Sequence, residues 1–343
     1  MKIILDAMGG DNAPQAPVLG AIAAAKDFGA QITLVGRGQE ILDVLKQNGY
    51  ADLPAGIEIA HAEDVVDMHD DPAEAVRKKK NSSMMVGLKM LADGEGDAFI
   101  SAGSTGALLS GATLIVKRVK GIRRAAMGPA MPNKAGGKTV ILDCGANAEC
   151  TPEFLLQFGL VGSLYAQKYL GVASPKVGLL NIGTEDTKGT PLQKEAYGML
   201  QDAANRGLIN FVGNVEARDV PMGAVDVVVC DGFSGNVLLK SIEGTAAFMG
   251  SLVSRMFKKN LITKIGALCC NSGIKSLKKL LDYREIGGTQ FLGIKKPVIK
   301  AHGSSDARAF RNAVKQAMDA AKSDISAELE AGLAKLAPKE QEA

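Results

Sequence analysis

Six short segments hold most of the side chains that could do chemistry: Asp6 to Asn12 ("DAMGGDN"), Ser101 to Gly106 ("SAGSTG"), Asp143 to Asn147 ("DCGAN"), Asn181 to Lys188 ("NIGTEDTK"), Cys230 to Asn236 ("CDGFSGN") and Lys300 to Ser305 ("KAHGSS"). The first offers Asp6, Gly9, Gly10, Asp11 and Asn12, and the second Gly103, Ser104, Thr105 and Gly106. Asp143 and Asn147 come from the third; Asn181, Gly183, Thr184, Glu185 and Lys188 from the fourth; Asp231, Gly232 and Asn236 from the fifth. The sixth supplies Lys300, His302, Gly303, Ser304 and Ser305. Glycine permits close backbone approach, and successive N–H groups at a helix start bind anions, so these residue types point to phosphate. Any one glycine set could serve only a tight turn, but six together point to a shared cleft.

Each segment follows a short β-branched run and precedes a helix-like stretch, and that repeat predicts βαβ units. The expected fold class is α/β, with a doubly wound, mostly parallel sheet and helices on both faces. The runs "QITLV" and "LINFV" read as further strands of the same sheet. In such sheets ligands bind outside the carboxyl ends of the strands, where these turns gather. The 343 residues, 46% of them hydrophobic, suit a single large catalytic domain over 1–337, with a disordered tail at 338–343.

Lys and Arg total 40 against 37 Asp and Glu, a balance that argues against nucleic acid as a partner and leaves any electrostatic message local. The five cysteines form neither a C-x-x-C pair nor a metal-ligand spacing, which suits a reducing cytoplasm. Asp6 interrupts the first apolar run before a signal-peptide core forms. The uncharged window from Ala98 to Val116 is polar and glycine-rich, which fits a strand, turn and helix better than a membrane span.

Several alternatives lack their motifs. Gly137-Lys138-Thr139 has Pro132 where a Walker A loop needs glycine, and Gly36-Arg37-Gly38 is followed by Ile41 where a dinucleotide fingerprint needs its third glycine. Ser104 sits in a turn resembling a nucleophile elbow, although an N-cap or ligand-binding role suits it better. His302 could pass a proton or serve a local hydrogen bond. His61 and His69 lie in the acidic stretch "HAEDVVDMHDDP", read as a solvated loop rather than a metal site.

Between Ala246 and Leu281 stand seven basic residues, Arg255, Lys258, Lys259, Lys264, Lys275, Lys278 and Lys279, with no Asp or Glu. Apolar residues recur at helical spacing, with Gly266 and Asn271-Ser272-Gly273 as breaks. The pattern predicts a projecting basic amphipathic hairpin over 246–283 that meets an acidic protein, anionic lipid or a second subunit.

Taken in order, "DAMGGDNAP", "SAGSTGALL", "LDCGANAEC", "GLLNIGTEDTKG", "FVGNVEARD", "VVVCDGFSGNVLLK" and "VIKAHGSSDA" resemble the PlsX family, the phosphate acyltransferases of bacterial phospholipid synthesis, from Met1 to about Ala317. The resemblance implies an isocitrate dehydrogenase-like fold, a homodimer and no organic cofactor, and the residues themselves offer no metal site. It implies reversible transfer of a long-chain acyl group from acyl-[acyl carrier protein] to inorganic phosphate, giving acyl phosphate for glycerol-3-phosphate acylation. It also implies a cytoplasmic protein transiently and peripherally associated with the membrane that holds the glycerol-3-phosphate acyltransferase. In that setting "GSTG", "HGSS" and Lys188 would hold phosphate, while Lys300 with Asn147, Asn181 or Asn236 would stabilise the oxyanion. Asp231 or His302 would assist thiol departure. Asp6 and Asp11 could instead orient backbone amides, and Asp11 and Asn12 could order neighbouring loops or begin a helix. Asn12 stands where the family often carries His, which questions proton transfer at that position. The rival readings are a phosphate acetyltransferase-like enzyme using acyl-CoA, an NAD-dependent dehydrogenase on the related fold, and a non-catalytic binding module.

Overall fold

The computed structural model describes residues 1–274, 287–323 and 325–336. Its strands form two sheets, of seven and five strands, instead of the one expected. Within the first, β1 (Lys2–Asp6) lies between β2 (Gln31–Gly36) and β4 (Ala98–Ser101). Beyond β2 comes β3 (Ile57–His61), and beyond β4 comes β12 (Val298–Ala301), all parallel. Two antiparallel pairings, β12 with β11 (Gly288–Leu292) and β11 with β5 (Ala126–Gly128), complete it. The second sheet runs β6 (Ala130–Pro132), β7 (Lys138–Leu142), β10 (Val227–Val229), β8 (Lys176–Asn181) and β9 (Asn210–Glu216), parallel except for β6. "QITLV" is therefore in the first sheet and "LINFV" in the second. An apolar run encodes burial, not the identity of its neighbour.

The central strands β1, β4, β7 and β10 are mostly apolar because both their faces are covered. Ile3 and Leu5 join one core with Val18 of α1 (Gln15–Phe28) and Phe310 of α10 (Ala307–Lys322). Ile4 points the other way, into a core with Met84 and Leu88 of α4 (Ser83–Asp93), as the two-residue period of a strand requires. The second sheet repeats the arrangement. Leu142 and Val227 pack on Phe158 of α6 (Pro152–Tyr169), and Ile141 and Val228 on Leu238 of α8 (Gly232–Phe257). Only Pro129 separates β5 from β6, so one short segment carries the chain from the edge of one sheet to the edge of the other.

The window from Ala98 to Val116 forms β4, a turn, α5 (Thr105–Gly111) and a π-helical turn (Ala112–Val116). Among the described residues no helix is long and apolar enough to cross a membrane.

The expected hairpin needs correction at its start. No new element begins at Ala246: α8 runs unbroken for 26 residues from Gly232, about 39 Å, and ends at Phe257. Asn260 then caps α9 (Leu261–Cys269), its side chain accepting from the Thr263 N–H. Gly266 lies inside α9, and Asn271 to Gly273 have helical backbone, so neither is a break. No residue from 246 to 274 is buried. Lys275, Lys278, Lys279, the rest of the expected hairpin and the tail at 338–343 lie outside the described residues.

Candidate active site

The strand order of the first sheet reverses between β1 and β4, and the turns after these strands organise each other. Asp6 ends β1 fully buried, its Oδ2 accepting from the Ser101 hydroxyl at 2.7 Å and its Oδ1 from the Met8 N–H at 3.0 Å. The Ser101 hydroxyl oxygen in turn accepts from the Gly103 N–H at 3.0 Å. Burial pushes the Asp6 carboxyl above its ordinary value, against the pull of these hydrogen bonds. Gly9 fits only without a side chain, since a Cβ would sit 2.7 Å from Asp6 Oδ2 and 2.8 Å from the Gly103 nitrogen. Asp6 is thereby engaged inside the protein.

Gly10 turns the chain at φ +100°, and the Asp11 N–H donates to the Gly303 carbonyl at 2.8 Å. The Asn12 amide donates to the carbonyls of Ser304 and Ser305, both at 3.2 Å. The expectation that Asp11 and Asn12 begin the helix is corrected: α1 starts at Gln15 behind Pro14, with no side-chain cap. The side chain of Asn12 is spent on fastening the "HGSS" turn.

A cavity of about 570 Å³ opens between this group and α8, well within the size range of small-molecule sites. Asp11, Thr105, Lys300, His302, Gly303 and Ser304 line it from the first sheet's turns, and Asn236, Lys240 and Glu243 from α8. The β5–β6 segment adds an apolar wall, Met127 and Pro129 to Pro132, continued by Leu239 and Ile242. Lys300 donates from Nζ to the carbonyls of Ala102 at 3.2 Å and Ala301 at 2.5 Å. Burial draws its ammonium down to about 8, opposed by the charges of Asp11 and Asp6. His302 is also held below its usual value, by burial and then by the charges of Lys240 and Lys300. Its Nδ1 lies 2.8 Å from the Ser304 hydroxyl and receives the Ser304 N–H at 3.3 Å, which puts the proton of the neutral ring on Nε2.

Other expected site residues are employed elsewhere. Ser104 is buried and occupies the N-cap position of α5 without a side-chain cap bond, and it is not among the residues lining the cavity. Gly106 packs where a Cβ would meet Pro72 at 2.7 Å. Asp143 is buried, accepting from the Met127 N–H at 2.8 Å and from the backbone and side-chain nitrogens of Asn147 at 2.6 and 3.0 Å. Asn147 also donates to the Ala125 carbonyl at 2.9 Å, and Gly232 to the Asn147 carbonyl at 2.7 Å, so this cluster joins the end of β7 to the start of α8. Asp231 is the N-cap of α8, accepting from both the N–H and the hydroxyl of Ser234 at 2.8 Å. Ser305, the last residue of the "HGSS" turn, is buried and does not line the cavity.

The loop after β8 is not brought to the cavity: Asn181, Gly183, Thr184, Glu185 and Lys188 are absent from its lining. That loop closes on itself through the Asn181 side chain, which donates to the Lys188 carbonyl and accepts from the Ile182 N–H. His61 pairs with Glu63 at the surface, and among the described residues no group of three or more His, Cys, Asp or Glu is placed to hold a metal ion. Ser101, Thr289, Lys240 and Glu243 are the polar residues that motif reading missed. The last two sit four and seven residues past Asn236, the end of the "CDGFSGN" turn, and a helical projection of α8 from Asn236 would have brought them to the same face.

A family model described as a fatty acid synthesis protein matches residues 1–328. A phosphate acyltransferase of Alkaliphilus oremlandii is 50% identical over 318 residues, 93% of each chain. Among solved structures, a phosphotransacetylase from Streptococcus pyogenes superposes with a TM-score of 0.59 at 18% identity, covering 94% of each chain. A 4-hydroxythreonine-4-phosphate dehydrogenase from Salmonella typhimurium, described as putative in its title, gives a TM-score of 0.55 at 13% identity over 93% of this chain and 98% of that one. These two share the doubly wound fold.

Proposed function

The chain belongs to the phosphate acyltransferase family, and on that premise we propose that it transfers a long-chain acyl group from acyl-[acyl carrier protein] to inorganic phosphate. The products are acyl phosphate and the free carrier protein, the reaction is reversible, and the acyl phosphate serves glycerol-3-phosphate acylation. The observation that carries this reading is the mixed character of the cavity, where Lys300, His302, Ser304 and Thr105 share one space with Met127, Met131, Leu239 and Ile242. Each buried CH₂ of an acyl chain contributes about 0.8 kcal/mol, so such a wall favours a fatty over an acetyl donor.

In the step itself, a phosphate oxygen attacks the thioester carbonyl carbon. The C–O bond forms, the C–S bond breaks, and sulfur leaves with the bonding pair and takes a proton. Positioning and charge stabilisation suffice, and no enzyme nucleophile is needed. Thr105, Ser304 and the backbone of the "HGSS" turn hold phosphate, and His302 Nε2–H and the Asn236 amide donate to the developing oxyanion. Lys300, near 8, is protonated at neutral pH yet acidic enough to serve a departing thiolate whose own value is ~8.5. The phosphate-holding role expected of Lys188 passes to groups that line the cavity.

The α8–α9 segment carries Arg255, Lys258, Lys259 and Lys264 beside exposed Phe248, Met256, Leu261, Ile262, Ile265 and Leu268. This pairing of charge with apolar surface supports transient membrane contact, docking of an acidic carrier protein and pairing of two subunits in a homodimer. Comparing palmitoyl-[acyl carrier protein], palmitoyl-CoA and acetyl-CoA as donors, with hydroxylamine trapping the acyl product, tests the donor. The carrier-bound palmitoyl group should give the highest kcat/KM; a preference for acetyl-CoA would sink the long-chain reading.

A further inference from the structure

The α8 wall of the cavity carries an ion pair that the step above leaves unused. Lys240 Nζ donates to Glu243 Oε2 at 2.7 Å, and both residues line the cavity together with Lys300, His302 and Ser304. The two side chains are 53% and 44% exposed, and an i,i+3 pair so open to water holds its members weakly. Lys300 differs: it is largely buried, and its Nζ already serves the Ala102 and Ala301 carbonyls. An arriving dianion can therefore recruit Lys240 at little cost. It must also meet the carboxylates of Asp11 and Glu243, which line the same space and repel it.

We propose that Lys240 is a phosphate-binding residue and that Glu243 is its exchangeable partner. Inorganic phosphate takes Lys240 from the Glu243 carboxylate, and the carboxylate recaptures it as acyl phosphate departs. The inference rests on the acyl-transfer reading of the cavity, and its test separates the two. Phosphate-dependent thiol release by the wild-type protein bears on the reading alone.

At saturating palmitoyl-[acyl carrier protein], Lys240→Met should raise the KM for phosphate roughly tenfold or more, the loss expected for one charge-assisted hydrogen bond, with a much smaller effect on kcat. Glu243→Gln should lower the KM for phosphate, Lys240→Arg should largely restore it, and the double variant should behave like Lys240→Met. An unchanged phosphate KM in Lys240→Met would overturn the proposal. So would a rise confined to the KM of the carrier substrate, which would place Lys240 on the carrier or its pantetheine arm. A phosphate KM raised equally by Glu243→Gln would also overturn it, by reducing the pair to a structural one.

Discussion

Burial makes Lys300 the side chain whose charge is most expensive to keep in this cavity. With its pKa near 8 against an ordinary 10.5, the folded protein binds fewer protons than the unfolded chain between those values, so stability gained from this group rises with pH across that window. Below it, the buried ammonium costs about 3 kcal/mol. Urea unfolding should show the stability of Lys300→Met relative to wild type falling by up to that amount from pH 8 to 10.5. A difference that stays flat with pH would refute the burial argument. Ser104→Ala should keep its rate within roughly tenfold of wild type in the thiol-release assay, because direct attack requires no serine; a loss of several orders of magnitude would restore the nucleophile. At this scale the sequence disclosed which turns hold polar residues but not what those residues face. Asp143 and Asp231 read as substrate-facing and Asp6 as either a ligand contact or an organiser of backbone amides; each carboxylate is occupied by nearby N–H or hydroxyl donors, a local competition that residue type does not reveal.

Among the elements, strand, turn and helix were legible in all six segments because β-branched runs, glycines and helical spacing agree there. Pairing was not: "QITLV" and "LINFV", expected in one sheet, belong to two. The start of α8 was equally hidden: the basic run marks only its far end, whereas the helix begins at Gly232 with Asp231 as its cap and reaches the cavity from Asn236 onward. The turn after β12 depends on another element, since Asn12 reaches across from the turn after β1. Asn12→Ala removes two hydrogen bonds worth about 0.5–1.5 kcal/mol each, so kcat should fall roughly tenfold while far-UV circular dichroism stays unchanged. Unaltered kcat would mean the "HGSS" turn holds its shape without this clamp.

For the molecule as a whole, the cavity takes its walls from both sheets, with β5–β6 as the bridge between them. The family match removes the dehydrogenase and binding-module readings, although one solved neighbour of the same fold is titled a dehydrogenase. If α8 and α9 touch anionic lipid, replacing Arg255, Lys258 and Lys259 with Glu should weaken binding to phosphatidylserine vesicles by roughly a hundredfold or more, at ~1 kcal/mol per basic residue. Cosedimentation at several salt concentrations would show it, and undiminished binding would assign the segment to protein contacts. The central claim, that phosphate itself attacks the thioester, is tested most directly by rapid-quench measurement of thiol release from palmitoyl-[acyl carrier protein] with and without inorganic phosphate. The account predicts no release without phosphate and, with it, acyl phosphate formed in equal amount to free thiol. A burst of thiol matching the enzyme concentration in the absence of phosphate would reveal an acyl-enzyme and contradict it.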